Sequence, residues 1–406
     1  MTDEDEDGQA LYAPHDSLHG LLQRGRGLGA VRALQDPAAA APLVYEVIRR
    51  DWSWDGLDQR ALYHARLLRD LELSPAPVVA QLAGREYDCM RAIEVLELLA
   101  LAGSDEAREG LRAHVREGEH WIRVLESVAD LWPAEWWEDL GDVARTRMRG
   151  AAEPPWPCEP WIRFGIDTQV FQDLPAETLG DRTGEELLAL LADTGGADGT
   201  KTAALRELAR RPPDERLIPL VPLLGTANGR HSLPVLRRAV EALGALAVPA
   251  ARRWAQDERE WLARLGDDVL ADHLGPEVIP RLVVELEEQW RERDWCGPYL
   301  TAKRLARFGP DASEAVPALR QFWLRTPHSI ERPGYLEALA AIDPSGLDYA
   351  HTESLWDCEG EARLLGIAEA PDGPEYLARV AVLRDDPMES QEVRAAAAAR
   401  LADLPG

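Results

Sequence analysis

Few side chains in this 406-residue sequence have the spacing that chemistry demands. In PHDSLHG, His15 and His19 stand four apart around Asp16, a separation that places two imidazoles on one helix face for a metal ion. Pro14 and Gly20 interrupt a helix there and no third ligand is near, so no metal site is expected. The glycines of GGADGTKT, Gly195 to Thr202, resemble a phosphate-binding loop only superficially. That loop joins its last glycine directly to lysine, whereas Thr200 separates Gly199 from Lys201, and a helical pattern precedes it. Six tryptophans between Trp121 and Trp161, among them the pair Trp136 and Trp137, offer two readings. They pack a core beneath a Pro-rich break, or they line a groove for a peptide or ligand. The former is the expectation.

Nucleophile and acid-base signatures are missing. No GxSxG, HExxH or His-Glu pair occurs, and carboxylates are too common in so acidic a chain for any pair to stand out. Cys89, Cys158, Cys296 and Cys358 are scattered singly with no CxxC, which suits a reducing cytoplasm and buried small side chains better than a zinc or disulfide framework. No catalytic residue, cofactor site or metal site is therefore assigned.

Composition narrows the partners. The formal charge of −27 argues against coating a nucleic-acid backbone, because each contacted phosphate needs a cation. Lys201 to Arg325 nevertheless holds 20 Lys and Arg against 18 Asp and Glu, so the acidity lies elsewhere in the chain. No apolar run approaches the roughly 18 to 20 residues that span a bilayer. The acidic start MTDEDEDG lacks the basic flank and apolar stretch of an export signal, so a cytoplasmic protein is expected.

The elements that position these residues follow from a proline rhythm. Pro219, Pro249, Pro280 and Pro317 open apolar runs at steps of 30, 31 and 37 residues, and each run follows an Ala/Leu-rich helical stretch. Units of roughly 20 to 50 residues that bury their apolar face only against neighbours form solenoids. In PYLTAKRLARFGPDASEAVPALRQFWL, Gly309 and Pro310 stop one helix and a second runs over 315–324, its proline in the first turn where a missing amide costs little. First helices are predicted over 201–210 and from 393, with further helices from Pro42 and Pro77. The expected fold is all-α, an α-solenoid of stacked antiparallel helix pairs. The expected divisions are an acidic disordered tail (1–14), an N-terminal helical array (15–149), an irregular Pro/Trp/Gly-rich insertion or hinge (150–199) and a C-terminal repeat array (200–406).

AKRLARFGPDASEAVPALRQF resembles the HEAT-like repeat family, in particular the short repeats of phycobilisome-lyase-type proteins. The likeness is good over 200–322, fair at the C-terminus and weak before about 150. It implies a superhelix whose second helices face inward. One enzymatic branch of the family, di-iron hydroxylases, uses His-Glu pairs that this chain lacks. A second branch, DNA glycosylases, cradles DNA on basic faces. Lys201, Arg206, Arg210, Arg211, Lys303, Arg304 and Arg307 would supply phosphate contacts, but they fall mainly on first helices, the convex side in such solenoids. The bilin lyases form a third branch. The resemblance and the missing motifs together lead to a noncatalytic scaffold that binds a protein partner on its concave face through Arg252, Trp254, Arg281, Gln289, Arg320 and Trp323. The alternative is a nucleic-acid-binding HEAT-like protein or DNA glycosylase.

Overall fold

The computed structural model describes residues 12–50, 52–149, 154–169, 179–226 and 228–403. Among them every regular element is helical, and the sole β feature is an isolated bridge between Gly225 and Ser232. Local chemistry sets the helix starts. Ser104 accepts from the Ala107 amide and opens Asp105–Glu117, whose first turn carries Asp105 and Glu106 against the positive end of the helix dipole. Thr183 and Glu186 form a reciprocal capping box at the start of Gly184–Ala192.

The proline rhythm marks helix starts as expected at three of four positions. Pro249, Pro280 and Pro317 each occupy the second residue of an α-helix, Val248–Trp254, Ile279–Glu292 and Val316–Arg325, and each helix follows a 3₁₀ turn. Pro219 does otherwise. Glu215–Leu223 is 3₁₀ throughout, because Pro219 and Pro222 remove two amide donors within four residues and leave too few for an α ladder. Upstream, Pro42 lies inside Pro37–Arg49 rather than opening it; Asp36 caps that helix by accepting from the Ala39 amide at 3.1 Å.

The chain forms two compact units, one of residues 1–170 and 286–406, the other of residues 171–285. This division cuts through the array expected over 200–406. The predicted insertion is also partly regular, with helix Trp161–Phe164 in the first unit and helix Gly184–Ala192 in the second. Of the predicted tail, residues 1–11 lie outside the described residues. Residues 12–14 are tied down, with Tyr12 donating to the Trp52 carbonyl at 2.7 Å and the Ala13 amide donating to Gln23 at 2.7 Å.

In the 171–285 unit, Leu187, Leu191, Leu205, Val221, Leu236, Val240, Ala251 and Leu262 meet in one core. Helices Val248–Trp254 and Glu260–His273 approach so closely at Gly266 that a β-carbon there would overlap the Ala255 nitrogen and the Ala251 oxygen. Backbone atoms cannot swing aside as a side chain would. Gly266→Ala should therefore lose about 1–3 kcal/mol of stability to overpacking, read as a lower urea midpoint.

The larger unit is closed by a stitch between sequence-distant parts. Its ends meet at Arg24-Gly25-Arg26-Gly27, which follows helix Leu18–Gln23 and starts helix Gly27–Gln35. Gly25 takes a left-handed φ of 62°, a conformation glycine adopts freely, and its carbonyl accepts from the Cys358 amide at 3.1 Å. A β-carbon on Gly27 would strike the Glu353 carbonyl. The two arginines fill the seam. Arg26 forms two bonds to Glu353 at 2.6 and 2.8 Å and donates to the carbonyls of Trp323 and Leu324, while its guanidinium lies 4.3 Å from the Trp323 ring centroid. Arg24 donates to carbonyls of Ala13, Gly20 and Arg325.

Further along the seam, Arg66 reaches Asp386 at 2.9 Å and Glu389 at 2.7 Å, and Arg363 makes a bidentate pair with Glu389. Arg332 pairs with Asp357 at 2.6 and 2.8 Å. Arg24, Arg26, Arg60, Arg66, Arg332, Arg363 and Arg379 are each no more than 8% exposed. Planar guanidinium groups tolerate such burial when the fork satisfies several acceptors at once, as those of Arg24, Arg26, Arg66 and Arg363 do.

Candidate functional site

The loop 52–60 and the turn 326–331 lie together in the larger unit because Asp58 holds both. Its buried carboxylate accepts from the Trp54 amide at 2.6 Å, the Ser329 hydroxyl at 2.9 Å, His328 Nδ1 at 3.0 Å and the Ile330 amide at 3.3 Å. Burial opposes this charge, but the His328 bond and the Arg60 guanidinium prevail and hold the carboxyl well below its usual range. Burial also works against a charged His328, and the bond to Asp58 outweighs it, so the imidazole titrates higher than usual.

Neighbouring groups fix the same turn. Glu359 accepts from the Gln59 amide at 2.9 Å, and its carboxyl also meets the Ser329 oxygen. Arg60 donates to the carbonyls of Arg24 at 2.7 Å and Pro327 at 3.1 Å, and to Cys358 Sγ at 2.9 Å. The Cys358 thiol is pushed up to about 12 by burial, so it stays protonated and inert.

Beside this anchor lies a cavity of about 450 Å³ walled by Trp52, Trp54, Asp55, Asp58, Arg60 and His64 on one side and by Tyr87, Met90, Arg91 and Glu94 of helix Glu86–Leu101 on the other. Trp52 is only 8% exposed, yet its indole N–H has no acceptor, and Arg60 Nε is likewise buried without one. Both residues line the cavity, while the two donor atoms themselves are closed to solvent. Tyr87 is 77% exposed and Met90 36%, which places apolar surface beside the cavity. Burial, reinforced by the Arg60 and Arg91 charges, pushes His64 down to about 3, so its ring stays neutral.

Near the same turn, ligand-type atoms of Asp55, Cys296 and His328 lie within 4.8 Å of one another. Cys296 is exposed, contrary to the expectation that all four cysteines are buried. Its thiol is pushed up by burial and by the carboxylates of Glu331, Asp55, Asp294 and Asp58.

The six residues expected to form the binding surface are divided between the two units. Arg252, Trp254 and Arg281 belong to the 171–285 unit, Gln289, Arg320 and Trp323 to the other. Trp254 is 4% exposed in its unit's core, and Trp323 is 2% exposed beneath Arg26. Neither indole offers contact area, because each fills space between helices. Arg281 pairs with Asp267, and Arg320 with Asp343 at 3.6 Å. Arg252 is exposed, and Gln289 has a buried side-chain oxygen without a donor.

Other candidates resolve locally. Ser17 caps helix Leu18–Gln23, which leaves His15 outside it, while His19 Nε2 meets Glu46 at 2.8 Å. Lys201 is buried, and Arg211 is engaged by Glu207 and the carbonyls of Gly180 and Arg182. The tryptophan group is core: Trp121, Trp132, Trp137 and Trp161 are buried, Trp121 and Trp161 meet edge to face at 5.9 Å, and Trp161 donates to Glu126 at 2.7 Å. Trp156 is the exposed member.

The sequence did not mark the cavity or the trio, whose members come from chain positions up to 273 residues apart. The one local signal was WSWDGLD at 52–58, with two aromatics and two acids around a glycine. Comparison with protein-family models, curated proteins and solved structures finds no match. No helix among the described residues is long and apolar enough to cross a membrane.

Proposed function

We propose that this chain is a noncatalytic HEAT-like helical-repeat scaffold that binds a segment of a partner protein, with the 52–94 cavity as its recognition surface. The HEAT-like assignment rests on the Val-Pro and Ile-Pro helix openings after 3₁₀ turns at Pro249, Pro280 and Pro317. The observation that carries the binding reading is the cavity itself. Trp52 and Trp54 wall it on one side, and the exposed Tyr87 and Met90 supply the aromatic and thioether surface common at interface anchors. An extended peptide brings apolar side chains to this wall.

The protein would be used as bait in extracts of its native cell, and partners quantified by titration against wild type and a Tyr87→Ala/Met90→Ala variant. The reading expects a saturable protein partner whose affinity falls at least about tenfold in the variant. A partner bound equally by both, or no saturable partner, overturns it. Both side chains are partly or largely in solvent, so their truncation leaves the fold intact.

A further inference from the structure

The geometry points to a divalent-metal site at Asp55, Cys296 and His328, of a kind that suits Zn²⁺ and leaves one coordination position open. It shares Asp55 and Asp58 with the cavity wall but does not rest on the peptide reading, and its test reads metal rather than partner binding.

The three residues provide one oxygen, one sulfur and one nitrogen whose atoms all lie within 4.8 Å of one another. Asp55 Oδ2 stands 3.6 Å from His328 Nε2. That is too long for a hydrogen bond, yet it approaches the ~3.3 Å edge expected between nitrogen and oxygen on a tetrahedral zinc with bonds of about 2.0–2.2 Å. An ion pair alone does not require a thiol near the same point.

The surroundings orient each ligand. His328 is buried, and its other nitrogen, Nδ1, faces Asp58 at 3.0 Å. A carboxylate in that position fixes Nδ1 as the protonated nitrogen and directs the Nε2 lone pair toward Asp55 and Cys296, the carboxylate–histidine–metal relay of many metal sites. The Leu57 amide donates to Asp55 Oδ1 at 2.7 Å, which leaves Oδ2 on the side of His328. Cys296 rides on a segment bound to the histidine turn: Glu331, three residues beyond His328, accepts from the amides of Gly297 and Tyr299 and from the Tyr335 hydroxyl at 2.6 Å. Asp58 and Glu331 thus bring three distant stretches of chain to one point.

Ligand chemistry selects the ion. A thiolate and an imidazole favour zinc and related transition ions over Mg²⁺ and Ca²⁺, which take all-oxygen shells. Three protein ligands leave the fourth tetrahedral position to water or an incoming donor, and the exposure of Cys296 gives the ion a path from solvent. Binding releases the thiol proton to solvent, and no oxidant or reductant takes part.

The test is a Co²⁺ titration of the reduced full-length chain, followed in the near-ultraviolet and visible, with Zn²⁺ as competitor. One equivalent should generate a thiolate-to-cobalt charge-transfer band and tetrahedral d–d bands, all displaced by Zn²⁺. Cys296→Ala should abolish the charge-transfer band and weaken Zn²⁺ binding by more than the ~10–100-fold typical of losing an outer-sphere partner. Asp55→Asn, which keeps the thiol, should retain the band with weaker affinity. No stoichiometric band in wild type, or a band that survives Cys296→Ala, overturns the site. Because Cys296 is exposed, an unchanged thermal transition in its variant separates loss of metal from loss of fold.

Discussion

Replacing Arg26 with methionine should lower the stability of the larger unit by about 3–5 kcal/mol, the usual penalty for leaving one member of a buried ion pair without its partner. The guanidinium makes two bonds to Glu353 and two to the carbonyls of Trp323 and Leu324, so its loss orphans a buried carboxylate and two backbone acceptors together. Methionine keeps much of the volume over the Trp323 ring, which confines the loss to charge and hydrogen bonding. Urea unfolding followed by tryptophan fluorescence would read the change as a shift in midpoint. A second variant carrying both Arg26→Met and Glu353→Leu should recover most of the loss, because a pair replaced by apolar groups no longer pays for desolvated charge. Arg320→Met, which removes an exposed arginine 3.6 Å from Asp343, should stay within about 0.5 kcal/mol of wild type. A single Arg26 variant as stable as the Arg320 control would show that the seam does not hold the unit together.

That contrast explains what the sequence discloses and what it conceals. Helix starts depend on a few adjacent residues, so Pro249, Pro280 and Pro317 could be placed in first turns from local pattern alone. Pro219 misled because a second proline, Pro222, changed the hydrogen bonding available to the same turn. Charge was harder to place. Arg26, Arg66 and Arg363 look like the solvated residues of any amphipathic helix, and only a partner carboxylate decides otherwise; for Arg26 and Arg66 it arrives from more than 300 residues away. Periodicity runs along one dimension and cannot say that residues 286–406 belong to one unit with the chain's beginning. Trp254 and Trp323 are anchor candidates by residue type alone, but large aromatics at helical spacing fill cores at least as readily as they form interfaces. Asp55, Cys296 and His328 carried no spacing at all, because Asp58 and Glu331 bring them together through contacts between loops.

Asp58→Asn should cost the larger unit a further loss of about 3–5 kcal/mol near neutral pH, comparable to breaking the Arg26 pair, and the loss should shrink in acid. The asparagine oxygen can still accept from some neighbours, but its amide group turns two donor hydrogens toward His328 Nδ1, the Ser329 hydroxyl or the Trp54 amide, which donate to Asp58 in the native protein. Asp58 is held below its usual range against the opposition of burial, so the unfolded chain takes up its proton at a higher pH than the folded one. Its contribution is therefore fully present above the unfolded value of about 3.9 and falls by roughly 1.4 kcal/mol per pH unit below it. Glu331 and Glu359, near the same turn, act in the opposite sense: burial raises both, and the folded state binds their protons more readily. Total stability thus mixes rising and falling terms, whereas the difference between wild type and Asp58→Asn isolates the one group. Urea midpoints for the two proteins at pH 7 and then stepwise below pH 4 should converge. A gap that stays constant with pH would mean that Asp58 acts through shape and hydrogen bonding alone, and that its charge does not organise the cavity-lining loop or the turn packed beside it.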